Sequence, residues 1–191
     1  MRVVALVALL TLVVTSACSG SNTGRRAEPP PDTGPPCIPA STPAASASPS
    51  PQSANGPKVP DLALACFAGG SEIRLGELHR PAVINLWGSW CAPCRKELPA
   101  LNAYAQKSTV LVVGVATKDT RSSAGSLIDE FGLGFPNLYD RDGKLMEAIG
   151  SLPLPVTLFV SADGTIAYTH RAGALDTAGF EQLAREHLGA P

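Results

Sequence analysis

Large apolar residues are spread unevenly along the 191-residue chain. They crowd a first run from Val3 to Val14, nearly vanish from Ser19 to about Pro57, and return in ordered groups from Val59 onward. Leu62 to Phe67 and Ile73 to Leu75 flank Gly69-Gly70, the pattern of a short β-hairpin. Ala82-Val83-Ile84-Asn85-Leu86-Trp87 reads as an apolar run suited to a central strand buried on both faces. A helix is predicted from about Ala92 to Gln106, interrupted by Pro99, and a second buried strand from Val110 to Val115. Ala124, Leu127, Ile128 and Phe131 fall on one face of an amphipathic helix. Pro155 to Val160 and Thr165 to Thr169 read as strands joined by a tight turn at Asp163-Gly164. Asp176 is placed to cap a last helix that carries Phe180, Leu183, Ala184, His187 and Leu188 on its inner face. The order is βαβα followed by ββα. It calls for a parallel crossover first, then an antiparallel hairpin and a closing helix, in an α/β domain.

The first apolar run is too short to cross a bilayer as a helix, which takes roughly 20 residues. With Arg2 ahead of it and Thr15-Ser16-Ala17 behind, it reads as a signal peptide over residues 1–17. Thr15-Ser16-Ala17-Cys18 resembles the bacterial lipobox, whose cysteine is acylated and becomes the new N-terminus. Leu is usual where Thr15 stands, and ordinary cleavage near Ala17 is the alternative. A lipidated Cys18 would hold the protein on the outer face of the cell membrane, since more than one acyl chain anchors stably. Residues 18–58 are rich in Pro, Ser and Ala and hold too little apolar surface to offset the entropy of ordering, the composition of a disordered tether. Residues 59–191 are expected to form the folded domain.

Charge changes the picture little. Fifteen basic and 16 acidic residues give a net charge of -1 without a basic cluster, so neither nucleic acid nor a polybasic membrane contact is expected. Cysteine changes it more. Of five cysteines, Cys18 belongs to the export signal, and an exported chain meets an oxidising compartment in which disulfides persist. The even remainder points to a Cys37–Cys66 disulfide between the tether and the hairpin. Unpaired thiols, or Cys66 as a small core residue, are the alternatives.

Cys91 and Cys94 lie where the central strand gives way to a helix. Cys91 at the helix start feels the positive end of the dipole and free backbone N–H groups. Both favour its thiolate and lower its pKa from ~8.5 toward ~7 or below. Cys94, one turn in, is expected to be more buried and less acidic. The asymmetry assigns roles: Cys91 attacks a substrate disulfide, and Cys94 resolves the mixed disulfide. A zinc site would need two further ligands at matching spacing, and His79, His170 and His187 do not provide it. No metal is expected. No cofactor is expected either, because sulfur itself carries the electrons.

The segment Asn85-Leu86-Trp87-Gly88-Ser89-Trp90-Cys91-Ala92-Pro93-Cys94-Arg95-Lys96-Glu97-Leu98-Pro99 resembles the active-site segment of the TlpA/ResA branch of thioredoxin-like proteins. The likeness extends from Val59 to about Leu188. It implies a thioredoxin-like three-layer αβα fold for residues 59–191, with a mixed central sheet and an N-terminal β-hairpin extension. It also implies export, membrane attachment and dithiol chemistry, often as a reductant, for instance of apocytochrome c. Its partners would be exported proteins with cysteine pairs and a membrane thiol-transfer protein that supplies electrons. By the same resemblance Pro155 matches the cis-proline that faces the two cysteines, with Pro153 as competitor. Leu154 would offer its backbone to an extended substrate, with Trp90 also in the substrate-binding group. Glu97 matches the glutamate of the family motif and would shuttle a proton, unless it is a solvated helix carboxylate. Asn85 stands where cytoplasmic thioredoxins place a buried aspartate, which leaves Glu97 the better proton acceptor.

Direction stays open at this level. The same dithiol could reduce exported disulfides or, as an oxidase, install them. A thiol metallochaperone lacks its extra His here, and a peroxidase of the peroxiredoxin class lacks its threonine, since Gly88 stands three residues before Cys91.

Overall fold

The computed structural model of the chain describes residues 37–38 and 56–190. The expected signal peptide, Cys18 and most of the expected tether lie outside the described residues. Strands β1 (Ala63–Cys66), β2 (Ile73–Arg74), β3 (Ala82–Trp87), β4 (Leu111–Thr117), β5 (Asn137–Asp140), β6 (Val156–Val160) and β7 (Ile166–His170) form one mixed sheet in the order β2-β1-β5-β4-β3-β6-β7. The β3–β4 and β4–β5 pairs are parallel, and the β3–β6, β6–β7, β1–β5 and β1–β2 pairs are antiparallel. Helices α1 (Ala92–Ala105), α2 (Arg121–Phe131), α3 (Lys144–Ala148) and α4 (Thr177–Leu188) complete the fold.

Strand β3 lies between β4 and β6, and all six of its residues are buried, which is why its sequence is apolar without alternation. Val83 and Trp87 face a cluster built with Leu98 and Leu101 of α1, Leu127 and Ile128 of α2 and Phe180 of α4. Ile84 and Leu86 face the opposite cluster, with Val113, Val115, Leu145 of α3 and Leu75. The sheet is therefore covered on both sides, the three-layer arrangement expected. Helix α1 crosses α4 through a Tyr104–Phe180 ring stack at 5.7 Å. The Thr177 hydroxyl donates to the Ala100 carbonyl of α1 at 3.3 Å.

The pattern of apolar positions did not reveal β5 and α3. Strand β5 has four residues, and α3 has five with no side-chain cap from its N-cap residue Gly143. Both are organised by buried Asp140 at the end of β5. Its carboxylate accepts from Lys144 N at 2.8 Å, Leu145 N at 3.0 Å and Thr117 Oγ1 at 3.1 Å. Gly143, at φ 75°, makes the left-handed step that lets the chain turn from strand into helix.

One row across the sheet is polar. Asn137, Gly114, Asn85, Thr157 and His170 are register partners on β5, β4, β3, β6 and β7. Gly114 is required by its neighbours. A Cβ there would collide with Asn137 Oδ1 and come within 2.9 Å of both Trp87 Nε1 and a Phe135 ring carbon. The Trp87 indole donates to that same Asn137 oxygen at 3.2 Å. Near the other end of the sheet, Cys37 is joined to Cys66 of β1 by a disulfide, with Cα atoms 5.9 Å apart. Cys37 and Ile38 pack on the α3-side cluster.

Candidate active site

After Trp87 the chain leaves the sheet and makes a turn, closed by Cys91 N–H donating to the Gly88 carbonyl at 3.0 Å. Cys91 is the extended N-cap of α1 (φ -88°, ψ 102°), and its Sγ accepts from Cys94 N at 3.2 Å. A sulfur in the N-cap position thus takes one of the free N–H groups of the first turn, the place a capping oxygen normally fills. Pro93 suits this first turn because a proline there forfeits no intrahelical bond. Cys91 and Cys94 are joined as a disulfide with Cα atoms 5.3 Å apart. Both are buried, Cys94 the deeper, at 1% exposed against 5%.

Glu97 is on the inner side of α1, only 1% exposed. Its Oε1 accepts from Asn85 Nδ2 at 3.1 Å and from Thr157 Oγ1 at 3.3 Å. Asn85 Nδ2 also reaches Thr157 Oγ1 at 2.9 Å, so three side chains from α1, β3 and β6 close a small polar knot. Burial pushes the Glu97 carboxyl up to about 7, against the smaller opposing pull of Thr157, the Leu175 backbone N–H and Asn85. Among the described residues Oε2 makes no hydrogen bond. Glu97 is thus not a solvated helix carboxylate. Three residues past Cys94, it lies on the same side of α1, where side chains so spaced are neighbours.

The Leu154–Pro155 peptide bond is cis, and Pro153 is not part of such a bond. Leu154 is half-buried and packs on the apolar cluster that includes Cys91 and Cys94. Trp90 is 60% exposed, the one large apolar side chain so placed among the described residues. Its indole lies over Gly88 and donates to the Lys118 carbonyl at 2.9 Å. Cys37–Cys66 is elsewhere, on the β1 side of the sheet. No group of three or more potential metal ligands occurs among the described residues.

Residues not singled out in the sequence also meet here. Thr157 completes the knot around Glu97. Asp119, in the turn from β4 to α2, accepts from Ser89 N in a short bond, from Ser89 Oγ at 3.0 Å and from Thr120 N at 2.7 Å. The only sequence signal for Asp119 is its place beside Thr120, which caps α2 by accepting from Ser123 N. That reads as helix initiation and says nothing of Ser89.

A family model described as the AhpC/TSA family matches residues 56–169. The thiol-disulfide oxidoreductase ResA of Geobacillus thermodenitrificans (strain NG80-2) is 32% identical over 115 residues, covering 58% of this chain and 66% of that protein. The ResA protein of Bacillus subtilis (strain 168) is 31% identical over 101 residues, 51% of this chain and 56% of its own length. The matches thus span between about half and two thirds of these curated relatives. Among solved structures, a secreted Mycobacterium tuberculosis disulfide oxidoreductase homologous to Escherichia coli DsbE superposes with a TM-score of 0.59 at 26% identity. That match covers 64% of this chain and 92% of the other. A thio-disulfide isomerase from Thermus thermophilus, 24% identical, shares the fold with a TM-score of 0.61 over 71% of this chain and 97% of that one.

Proposed function

This chain belongs to the AhpC/TSA family, with ResA-like relatives, and from that premise we propose that it is a thiol–disulfide oxidoreductase working outside the cytoplasm through Cys91 and Cys94. The observation that carries the reading is the pair itself: two cysteines able to bond at the start of α1, with a buried carboxyl one turn further on. In the reducing direction the dithiol starts with Cys91 as thiolate. It attacks one sulfur of a substrate disulfide. The substrate S–S bond breaks, and the departing sulfur leaves as a thiolate that takes up a proton. Cys94 then gives its proton to the Glu97 carboxylate and attacks Cys91 Sγ. The second substrate thiolate departs and takes up a proton, so two electrons pass to substrate and Cys91–Cys94 is left oxidised. A carboxyl held up to about 7 accepts and returns a proton near neutral pH, which suits the general base of the resolving step.

The finer reading is a reductant of disulfides in exported proteins, such as the haem-binding cysteine pair of an apocytochrome c. Its support is the resemblance of the Asn85–Pro99 segment to the TlpA/ResA branch. A membrane thiol-transfer protein would return it to the dithiol, and a lipid on Cys18 would hold it beside that donor. Leu154 and Pro155 would receive the extended substrate backbone, with Trp90 at its flank.

Purified protein should reduce insulin with dithiothreitol as electron source. The Cys94→Ala variant should trap clients as mixed disulfides, whereas Cys91→Ala should trap few. Equal trapping by both variants would remove the assigned roles. Alkylation trapping in intact cells tests direction, and the pair should be found mostly reduced. A mostly oxidised pair that readily oxidises model dithiols would make the protein an oxidase.

A further inference from the structure

We infer that Asp119 is a positioning residue for the exchange reaction, clamping the turn that presents Cys91. The inference rests on the reading of Cys91 as nucleophile. Residues 88–91 form a turn whose closing bond, Cys91 N to Gly88 O, measures 3.0 Å. Ser89 is the second residue of that turn, and Asp119 holds it twice, at the backbone N–H and at Oγ. The third residue, Trp90, is tied to the neighbouring Lys118 carbonyl at 2.9 Å. Two consecutive residues of the β4–α2 turn therefore grip the two residues just ahead of Cys91.

The grip is itself anchored. Lys118 takes a left-handed conformation (φ 49°) and its N–H donates to the Asp140 carbonyl at 3.1 Å. Its aliphatic stem fills the space beside Gly143, where a Cβ would come within 2.5 Å of Lys118 Cε. The Tyr139 hydroxyl donates to the Asp119 carbonyl at 3.0 Å. Asp119 is nearly buried, at 9% exposed. Its carboxylate spends its lone pairs on Ser89 and Thr120, which fixes it in place.

Cys91 stabilises a thiolate only while its sulfur faces the Cys94 N–H and the end of α1. Asp119 and Lys118 on the β4–α2 turn and Glu97 on α1 are the ionisable groups set about this segment. Loss of the Asp119 charge alone would favour the thiolate, so a shift to higher pH reads the lost hold on the turn. Loss of the Asp119 bonds frees the turn, lets Sγ leave that position, and destabilises the thiolate without touching either cysteine.

The test uses the reduced full-length protein. In Asp119→Ala the pH profile of Cys91 alkylation by iodoacetamide should move to higher pH, with an about tenfold lower rate at pH 7, equivalent to about one pKa unit. The equilibrium with glutathione should move toward the more reducing side. Ser89→Ala, which keeps the backbone bond and loses only the hydroxyl, should show a smaller change of the same sign. Trp90→Phe, which loses the indole bond to the Lys118 carbonyl and keeps both Asp119 bonds, should show a smaller change of the same sign and also raise KM for insulin. If Asp119→Ala folds poorly, Asp119→Asn is measured instead, since an amide has a single acceptor oxygen and cannot accept from both the Ser89 N–H and the Thr120 N–H. An unchanged alkylation profile and glutathione equilibrium in a folded Asp119 variant would overturn the inference while leaving the dithiol reading intact. A wild-type protein inert toward insulin would instead strike at that reading.

Discussion

At Glu97 one carboxyl meets two demands that oppose each other. The protein removes it from water, which disfavours its charge, yet gives Oε1 two donors, which favour it. Burial is the larger effect, so the folded state binds this proton more tightly than the unfolded chain does. The corresponding stability is fully present below about 4.5 and is lost as pH rises through about 7, a loss of about 3 kcal/mol when complete. Glu97→Gln keeps an acceptor for Asn85 and Thr157 and carries no charge. Its urea stability should match wild type near pH 4.5 and exceed it by up to about 3 kcal/mol at pH 8.5. Parallel stability curves for the two proteins would show that burial does not govern this group. The resemblance of the Asn85–Pro99 segment to the TlpA/ResA branch pointed to Glu97, three residues past Cys94. It could not show burial, because that depends on Thr157, 60 residues away along the chain.

Among the elements, α1 was legible and α3 was not. Helix α1 carries its own instructions: an apolar strand before it, Pro93 in its first turn, and a 14-residue span. Helix α3 has five residues, too few to show a period or to hold together alone. Its start is specified by Asp140, a residue of the strand before it. Asp140→Ala should therefore cost about 2–3 kcal/mol, since the Lys144 and Leu145 N–H groups and the Thr117 hydroxyl all lose their acceptor, two of them buried. Denaturant unfolding with both disulfides intact measures this. A loss under about 0.5 kcal/mol, the level of an ordinary surface change, would mean that α3 is held by the packing of Leu145 and Met146 alone. Strand β5 leaves no local signal for a related reason. Its Leu138 and Tyr139 sit between Asn137 and Asp140, polar residues that look like loop until Trp87 and α3 supply their partners.

For the whole molecule, the Cys37–Cys66 bond ties the stretch before the domain to β1 across 29 positions of sequence. In the chain-entropy account a loop of that length contributes about 3–4 kcal/mol by restricting the unfolded chain. Cys37→Ala should lower stability by about that amount and leave insulin reduction by Cys91 and Cys94 intact. Insulin reduction that falls in proportion to stability would show the two disulfides to be coupled. An even cysteine count made this pairing one of several options in the sequence. The choice among them depends on Cys37 and Ile38 packing on the sheet face opposite α1, which no local pattern announces. The overall architecture was readable because its central strands and main helices are long enough to carry their own periodicity. The clamp at Asp119 was not, because it joins two turns.

The fit of Gly114 against Asn137 and Trp87 also limits how such a chain can drift. Alanine at 114, introduced first, strikes the Asn137 side chain and crowds the indole before anything has moved. Exchange of Asn137 first leaves the buried Trp87 N–H without its acceptor. Replacement of Trp87 first opens a void under the strand that leads to the cysteines. Each of these three steps passes through a weaker protein, so the three positions are expected to change together. Descendants that change one of them should be found to have changed the others as well.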